Sequence, residues 1–381
     1  MPGLLFVVNY YAFILKHIKF LVLLLLLIAC SPTDQNVPQG ILLDFRQVKT
    51  QSITPGRFPI KILGNLGDKV IPSQIISLKK YESYYYLLTI QDGVLVYDSE
   101  KNKIHPLATK GRGPGEIISA SDVGISGKGN YVSIIDSGNR KIVTFNKSGQ
   151  FINEVSVNQW VKNGVLVDEK NEIYLGATNG SKESNQGENY LAFLFDSHGE
   201  IKKGFNQFSK AYQAGIGNGI NLHRLGQNSY GYYSVFTNHI YRYTDMEMKP
   251  SYTFEFSKPL LPDTLIIPHM QGKVPLNAYA YFLSYFESEG MLALTYELDR
   301  RKIWSVYNKK NDARNFFYLD HISGCGMCNR INVIGIDGHS LFVVVSSQMM
   351  ERMIYPAQLD SIKSQYTDFD YLDFIIEVDL L

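Results

Sequence analysis

The sequence predicts an all-β fold, a six-bladed β-propeller whose ring is closed by an N-terminal strand completing the last blade. Three observations carry that reading. A unit of β-rich runs separated by short turns recurs. Its third run ends at Tyr97-Asp98, Phe145-Asn146, Phe195-Asp196, Tyr243-Thr244, Tyr307-Asn308 and Val378-Asp379, at spacings of 48, 50, 48, 64 and 71 residues. Periods of roughly 40–50 residues with four strands per unit are the pattern of propeller blades. The sixth unit stops after its third strand, at Leu381. An apolar segment, Phe58–Leu63, has no unit of its own, and as the outer strand of the last blade it closes the ring and removes exposed sheet edges.

The elements follow in order. Blade 1 occupies about residues 73–107, with Tyr85–Thr89 and Gly93–Tyr97 as its middle strands. Blade 2 is 117–157, the clearest copy, with Tyr131–Asp136, Lys141–Asn146 and Phe151–Val157. Blade 3 covers 160–208, blade 4 220–256, blade 5 280–319 and blade 6 330–381. Two insertions break the rhythm. Residues 257–279 carry four prolines and read as a long loop, and 348–372 read as one or two short helices. Long insertions on a rigid scaffold often carry function.

Composition agrees. Apolar residues make up 45% of the 381 residues, enough for a full core, and aromatics reach 13% while charged residues stay at 19%, a balance that favours strands. The 37 Lys+Arg nearly cancel the 36 Asp+Glu, leaving a net charge of +1, which argues against a nucleic-acid partner.

The first 29 residues read as a targeting segment. Lys16, His17 and Lys19 precede the apolar run Phe20–Ile28, which is too short to span a bilayer and fits a signal-peptide core. Leu27-Ile28-Ala29-Cys30 resembles a bacterial lipobox, which implies acylation of Cys30 and attachment to the membrane through lipid. Residues 30–52 then read as the lipidated Cys and a flexible tether, and 53–381 as the propeller.

Blade 2 resembles an NHL repeat. Its entry is Gly111-Arg112-Gly113-Pro114-Gly115-Glu116-Ile117, its middle turn Asp136-Ser137-Gly138-Asn139-Arg140-Lys141-Ile142, and its end Phe145-Asn146-Lys147-Ser148-Gly149. Lys141 stands where Arg is usual and Asn146 where Asp is usual. With the lipobox, the chain looks like the six-bladed propeller lipoproteins of Gram-negative envelopes, an NHL/TolB-like group. The resemblance implies a fold and a compartment, the outer membrane first, and no settled activity.

Candidate site residues are few. Arg112, Glu116, Asp136, Asn139 and Arg140 are the ligand-binding candidates: a glycine-rich loop can present backbone N–H groups to an anion, and a polar turn can line a rim. The same residues also suit an inter-blade connection and an Asx-type turn. Cys325 and Cys328 pair as a local disulfide in an oxidising envelope. A redox pair would lack its βαβ context, and a zinc site would need two further ligands, with His321 and His339 the nearest histidines. No cofactor is expected. A central Ca²⁺, as in lactonase-like six-bladed enzymes, would draw on Asp122, Asn163, Asn221 and Asn332 near first-strand starts. The expected function is a binding platform for a peptide, glycan or protein at the central mouth. The alternative is a metal-dependent hydrolase or lyase.

Overall fold

Two short N-terminal strands, β1 (Ile41–Phe45) and β2 (Ile60–Ile62), precede the first blade. The computed structural model describes residues 41–46, 60–63, 74–158, 161–170, 172–177, 190–207, 222–233, 237–262, 265, 273–275, 278–299, 301–318, 331–353, 356–365 and 373–379. Gly40–Leu381 is one compact unit.

Six sheets follow in order. Blade 1 is β3 (Ile75–Tyr81), β4 (Tyr84–Thr89), β5 (Gly93–Asp98) and β6 (Lys103–Pro106). Blade 2 is β7 (Ala120–Ile125), β8 (Tyr131–Asp136), β9 (Lys141–Asn146) and β10 (Phe151–Ser156). Blade 3 is β11 (Asn163–Asp168), β12 (Ile173–Ala177), β13 (Tyr190–Phe195) and β14 (Ile201–Gln207). Blade 4 is β15 (Leu222–Gly226), β16 (Ser229–Tyr233), β17 (His239–Thr244) and β18 (Glu247–Phe256). Blade 5 is β19 (Tyr281–Glu287), β20 (Met291–Leu298), β21 (Arg301–Asn308) and β22 (Ala313–Tyr318). Blade 6 is β23 (Ile331–Asp337), β24 (Ser340–Ser346) and β25 (Asp373–Asp379), and β2 completes it. The pairing of Ile60 with Val378 and Ile62 with Ile376 closes the ring as expected.

The burial pattern explains why the middle strands are so apolar. β4, β5 and β8 are buried at every position after the first, because each is covered on both faces by neighbouring blades. The outer strands β6 and β10 are mostly exposed or half-buried. Inner strands come closest between blades 6 and 1 and between blades 2 and 3. Two glycines permit this. A Cβ on Gly335 would stand 2.1 Å from the Leu78 carbonyl oxygen, and one on Gly124 would stand 2.1 Å from that of Gly164.

The recurring aromatic-Asp pair has a local cause. The polar side chain after the third strand caps the turn into the fourth. Asp98 accepts from Glu100 N and Lys101 N at 3.1 Å. Asn146 accepts from Ser148 N and Gln150 N at 3.1 and 2.9 Å. Asp196 accepts from His198 N and Glu200 N at 2.9 and 3.0 Å, and Asn308 from Lys310 N at 2.9 Å. The Lys202 ammonium, 2.6 Å away, and then the turn amides hold the Asp196 carboxyl at about 2, below its usual 3.8. A carboxyl with a lowered folded-state value stabilises the fold above its unfolded value, and that contribution disappears as pH falls from about 4 towards 2. Asp196→Asn should therefore melt below wild type at neutral pH, with the difference closing by about pH 2; a gap that stays constant over a melting-temperature titration would contradict this.

One segment differs from expectation. Ile41–Phe45, read as part of the tether, is a fifth strand of blade 4, parallel to β18 from Ile41↔Tyr252 to Phe45↔Phe256. Leu43 and Phe45 are fully or almost fully buried while Ile41 and Leu42 are exposed. The Phe45 ring lies 5.2–5.8 Å from those of Phe254, Phe256, Tyr296 and Phe316, which fixes the strand. The second insertion forms two helices, α1 (Ser347–Met353) and α2 (Pro356–Lys363), and buries Met350 and Leu359 against blades 5 and 6. In the proline-rich insertion, Leu260 bridges Ala280.

Candidate functional site

The glycine-rich loop and the polar turn of blade 2 hold each other. Glu116 Oε2 accepts from Gly113 N at 2.8 Å, and Glu154 accepts from Gly115 N at 3.2 Å. Asp136, fully buried, accepts from Ile118 N and Ser119 N at 3.0 Å and from Asn139 Nδ2 at 2.6 Å. Asn139 also donates to Gly111 O, and Lys141 donates to Gly113 O and Glu154. The amides that could meet an anion therefore face the protein's own carboxylates. Arg112 and Arg140 are exposed, Arg140 at φ 53° in the turn. These five residues sit where second strands run into third strands and where one blade leads to the next.

The structure opens a cavity at the other end of the ring, where first strands turn into second strands. All six blades line its volume of about 240 Å³. The lining runs through Lys79 and Lys80 (blade 1), Ile125 (blade 2), Val165 (blade 3), Leu222–Gly226 (blade 4), Glu287–Glu289 (blade 5) and Ile334–Gly338 (blade 6). Blades 2 and 3 give an apolar wall and blades 5 and 6 an acidic arc.

Several of its charged groups are paired. Lys80 Nζ donates to Asp337 Oδ2 at 2.9 Å. Burial works to lower the Lys80 ammonium, but the Asp337 hydrogen bond and charge outweigh it, so its value is raised. Glu287 is 1% exposed. It accepts from Lys309 Nζ at 2.5 Å and from the Tyr285 hydroxyl, with Arg242 at 3.9 Å. Burial pushes the Tyr285 hydroxyl well above its ordinary value and Glu287 pushes it further, so it stays a donor. Burial lowers the Lys309 ammonium against the pull of Glu287. Gly231 makes room for this cluster: a Cβ there would lie 2.2 Å from the Tyr285 oxygen and 2.3 Å from Glu287.

Arg224 ties blades together across the axis. Its Nε and Nη2 donate to Gly127 O at 3.1 and 2.7 Å, and its guanidinium stands 5.0 Å over the Tyr81 ring. Tyr81 in turn donates to Lys128 O at 2.8 Å. Glu289 is exposed, its carboxylate packed against Gly226.

Of the four residues suited to an axial Ca²⁺, Asp122 is fully buried and accepts from Lys79 Nζ at 3.0 Å, with Asn163 beside it. Burial pushes the Asp122 carboxyl up, and Lys79 opposes this. A lysine ammonium thus supplies the positive charge next to this carboxylate. Asn221 and the side chain of Asn332 lie outside the described residues, as do Cys30, His321, Cys325 and Cys328. His339 packs on Gly290, its buried Nδ1 without a hydrogen bond. Among the described residues no three His, Cys, Asp or Glu are grouped to hold a metal ion, and no helix is long and apolar enough to cross a membrane.

The sequence reading missed Lys80, Arg224, Glu287, Glu289 and Asp337. A signal was present: inner strands of a propeller are otherwise apolar, so charged residues on or just after a first strand have nowhere to point but the axis or a neighbouring blade.

Comparison with known proteins agrees with the fold. A family model described as a domain of unknown function, DUF4934, matches residues 67–366. A Bacteroides fragilis protein described as exported shares the fold at a TM-score of 0.69 and 15% identity, covering 90% of this chain and 99% of that one. A DUF4221 family member from Bacteroides vulgatus matches at a TM-score of 0.45 and 10% identity, with 80% and 91% covered. Virginiamycin B lyase from Staphylococcus aureus matches at 0.41 and 10% identity, with 81% and 80% covered. No curated protein matches the sequence.

Proposed function

The chain belongs to the DUF4934 family, and on that premise we propose that it is a lipid-anchored envelope protein that binds a ligand at the centre of its propeller. The observation that supports this reading is the cavity: six blades converge on it, and Lys80 and Glu287 are held in place there by Asp337 and Lys309. Such preorganisation lowers the ordering cost of binding, and rigid strands place polar groups more accurately than loops do. A peptide or glycan end fits the combination of apolar wall and charged arc.

The lipid anchor is part of the proposal. Ten residues separate Cys30 from Ile41, so a chain acylated at Cys30 keeps blade 4 within about 40 Å of the bilayer. Radiolabelled palmitate should enter the wild-type chain in a Gram-negative host and should not enter Cys30→Ser, which should also leave the membrane fraction. Equal labelling of both would remove the anchor.

Hydrogen exchange tests the site. Bound members of a pool of short peptides and oligosaccharides should slow exchange at Lys79–Lys80, Arg224–Gly226, Glu287–Glu289 and Asp337–Gly338. Protection confined to the Gly111–Glu116 loop or to outer strands would move the site away from the cavity.

A further inference from the structure

Resting on that reading of the cavity, we propose that its ligand is a small zwitterion, a free amino acid or dipeptide with an apolar side chain, its ammonium at Glu289 and its carboxylate at Arg224. Lys79 is engaged by Asp122, Lys80 by Asp337 and Glu287 by Lys309. Two charges remain. Among the described residues Arg224 donates through two of its five N–H groups to the neutral Gly127 carbonyl and stands over the Tyr81 ring, with no carboxylate partner. Glu289 makes no ion pair among the described residues and acts on the Lys309 ammonium, already paired with Glu287, only as the least of the influences on it.

These two belong to adjacent blades and line the same cavity. The Glu289 carboxylate packs against Gly226, two residues after Arg224 on the same strand, at φ 148°. A Cβ on Gly226 would come within 2.3 Å of the Glu289 oxygen, so the glycine leaves room for the carboxylate in this place. A ligand carrying one positive and one negative charge a few bonds apart answers both groups, and the remaining fork of a guanidinium suits a carboxylate. Ile125, Val165 and Leu222 offer an apolar surface to its side chain. The volume of about 240 Å³ lies below the roughly 300–1,000 Å³ of sites for drug-sized ligands, which favours a molecule of amino-acid size.

The test is calorimetry on residues 40–381, the compact unit that contains every blade and both closing strands. The probes are leucine, alanyl-leucine, N-acetyl-leucine and leucine amide. Leucine or alanyl-leucine should bind, and blocking either charged end should weaken binding about tenfold or more, as expected for losing a charged hydrogen-bond partner. Glu289→Gln should weaken leucine by a similar factor, leave N-acetyl-leucine unchanged, and melt like wild type. Binding of N-acetyl-leucine and leucine amide as tight as leucine, or unchanged leucine binding by Glu289→Gln, would overturn the proposal. If neither leucine nor alanyl-leucine binds while a neutral oligosaccharide protects the same inner-strand ends from exchange, the zwitterion is wrong and the central site stands. If no probe protects those ends, both are wrong.

Discussion

A chain that begins at residue 64 should lose about 4 kcal/mol or more of stability relative to one that begins at residue 47, and should self-associate. Both lack β1, so the difference isolates the segment containing β2. That strand pairs with β25 through Ile60, Lys61 and Ile62, and Leu63 N adds a bond to Ile375 O at 3.1 Å. Leu63 is 5% exposed and packs with Ile75, Leu78 and Ile334, so its loss alone approaches the cost of deleting a core leucine. The second consequence is an open edge. β25 carries Phe374, Ile375, Ile376 and Val378, all buried, and without β2 their strand presents unpaired backbone groups to solvent. Denaturant midpoints and size-exclusion profiles of the two chains decide the matter. Equal midpoints and a monomeric shorter chain would mean that closure by β2 contributes nothing.

That closing strand was legible in the sequence because it is a matter of counting: one apolar strand too many at one end and one too few at the other. The blades were legible for a different reason. The Asp and Asn caps after third strands are local, within four residues of the amides they accept from, so they leave a regular trace. What escaped has no period. β1 joins blade 4 through partners some two hundred residues away, and only the alternation of Leu43 and Phe45 hinted at it. Lys80 and Asp337 are 257 residues apart and meet only because the ring brings blades 1 and 6 together. The glycine-rich loop drew attention in the sequence because glycines free the backbone, yet Glu116 and Glu154 accept from its amides. The sequence could show which residues allow a close approach but not which group makes it.

The charge cluster behind the cavity has the second large effect. Glu287→Ala should cost about 3–5 kcal/mol, because it leaves the Lys309 ammonium in a buried site without its carboxylate. Ser288 O, 2.6 Å from Lys309 Nζ, and the Tyr252 ring at 5.7 Å cannot replace a full negative charge. The pH dependence identifies the cause. Burial already holds the Lys309 ammonium below its ordinary 10.5, and removing Glu287 removes the main opposing pull, so the folded state binds that proton more weakly still. A group that binds fewer protons folded than unfolded makes stability rise with pH between its two values. The variant should therefore recover part of its deficit as pH is raised towards about 10, a recovery that a cavity left by the lost side chain would not show. Replacing both partners, Glu287→Leu with Lys309→Met, should restore most of the stability at neutral pH, since a buried ion pair is roughly matched by apolar groups of similar volume. If the double variant is as unstable as Glu287→Ala, the loss comes from packing around Tyr285 and Gly231 rather than from the stranded charge. If it recovers, Glu287 and Lys309 are not needed for the fold itself, and their placement against the cavity is left as the property they supply.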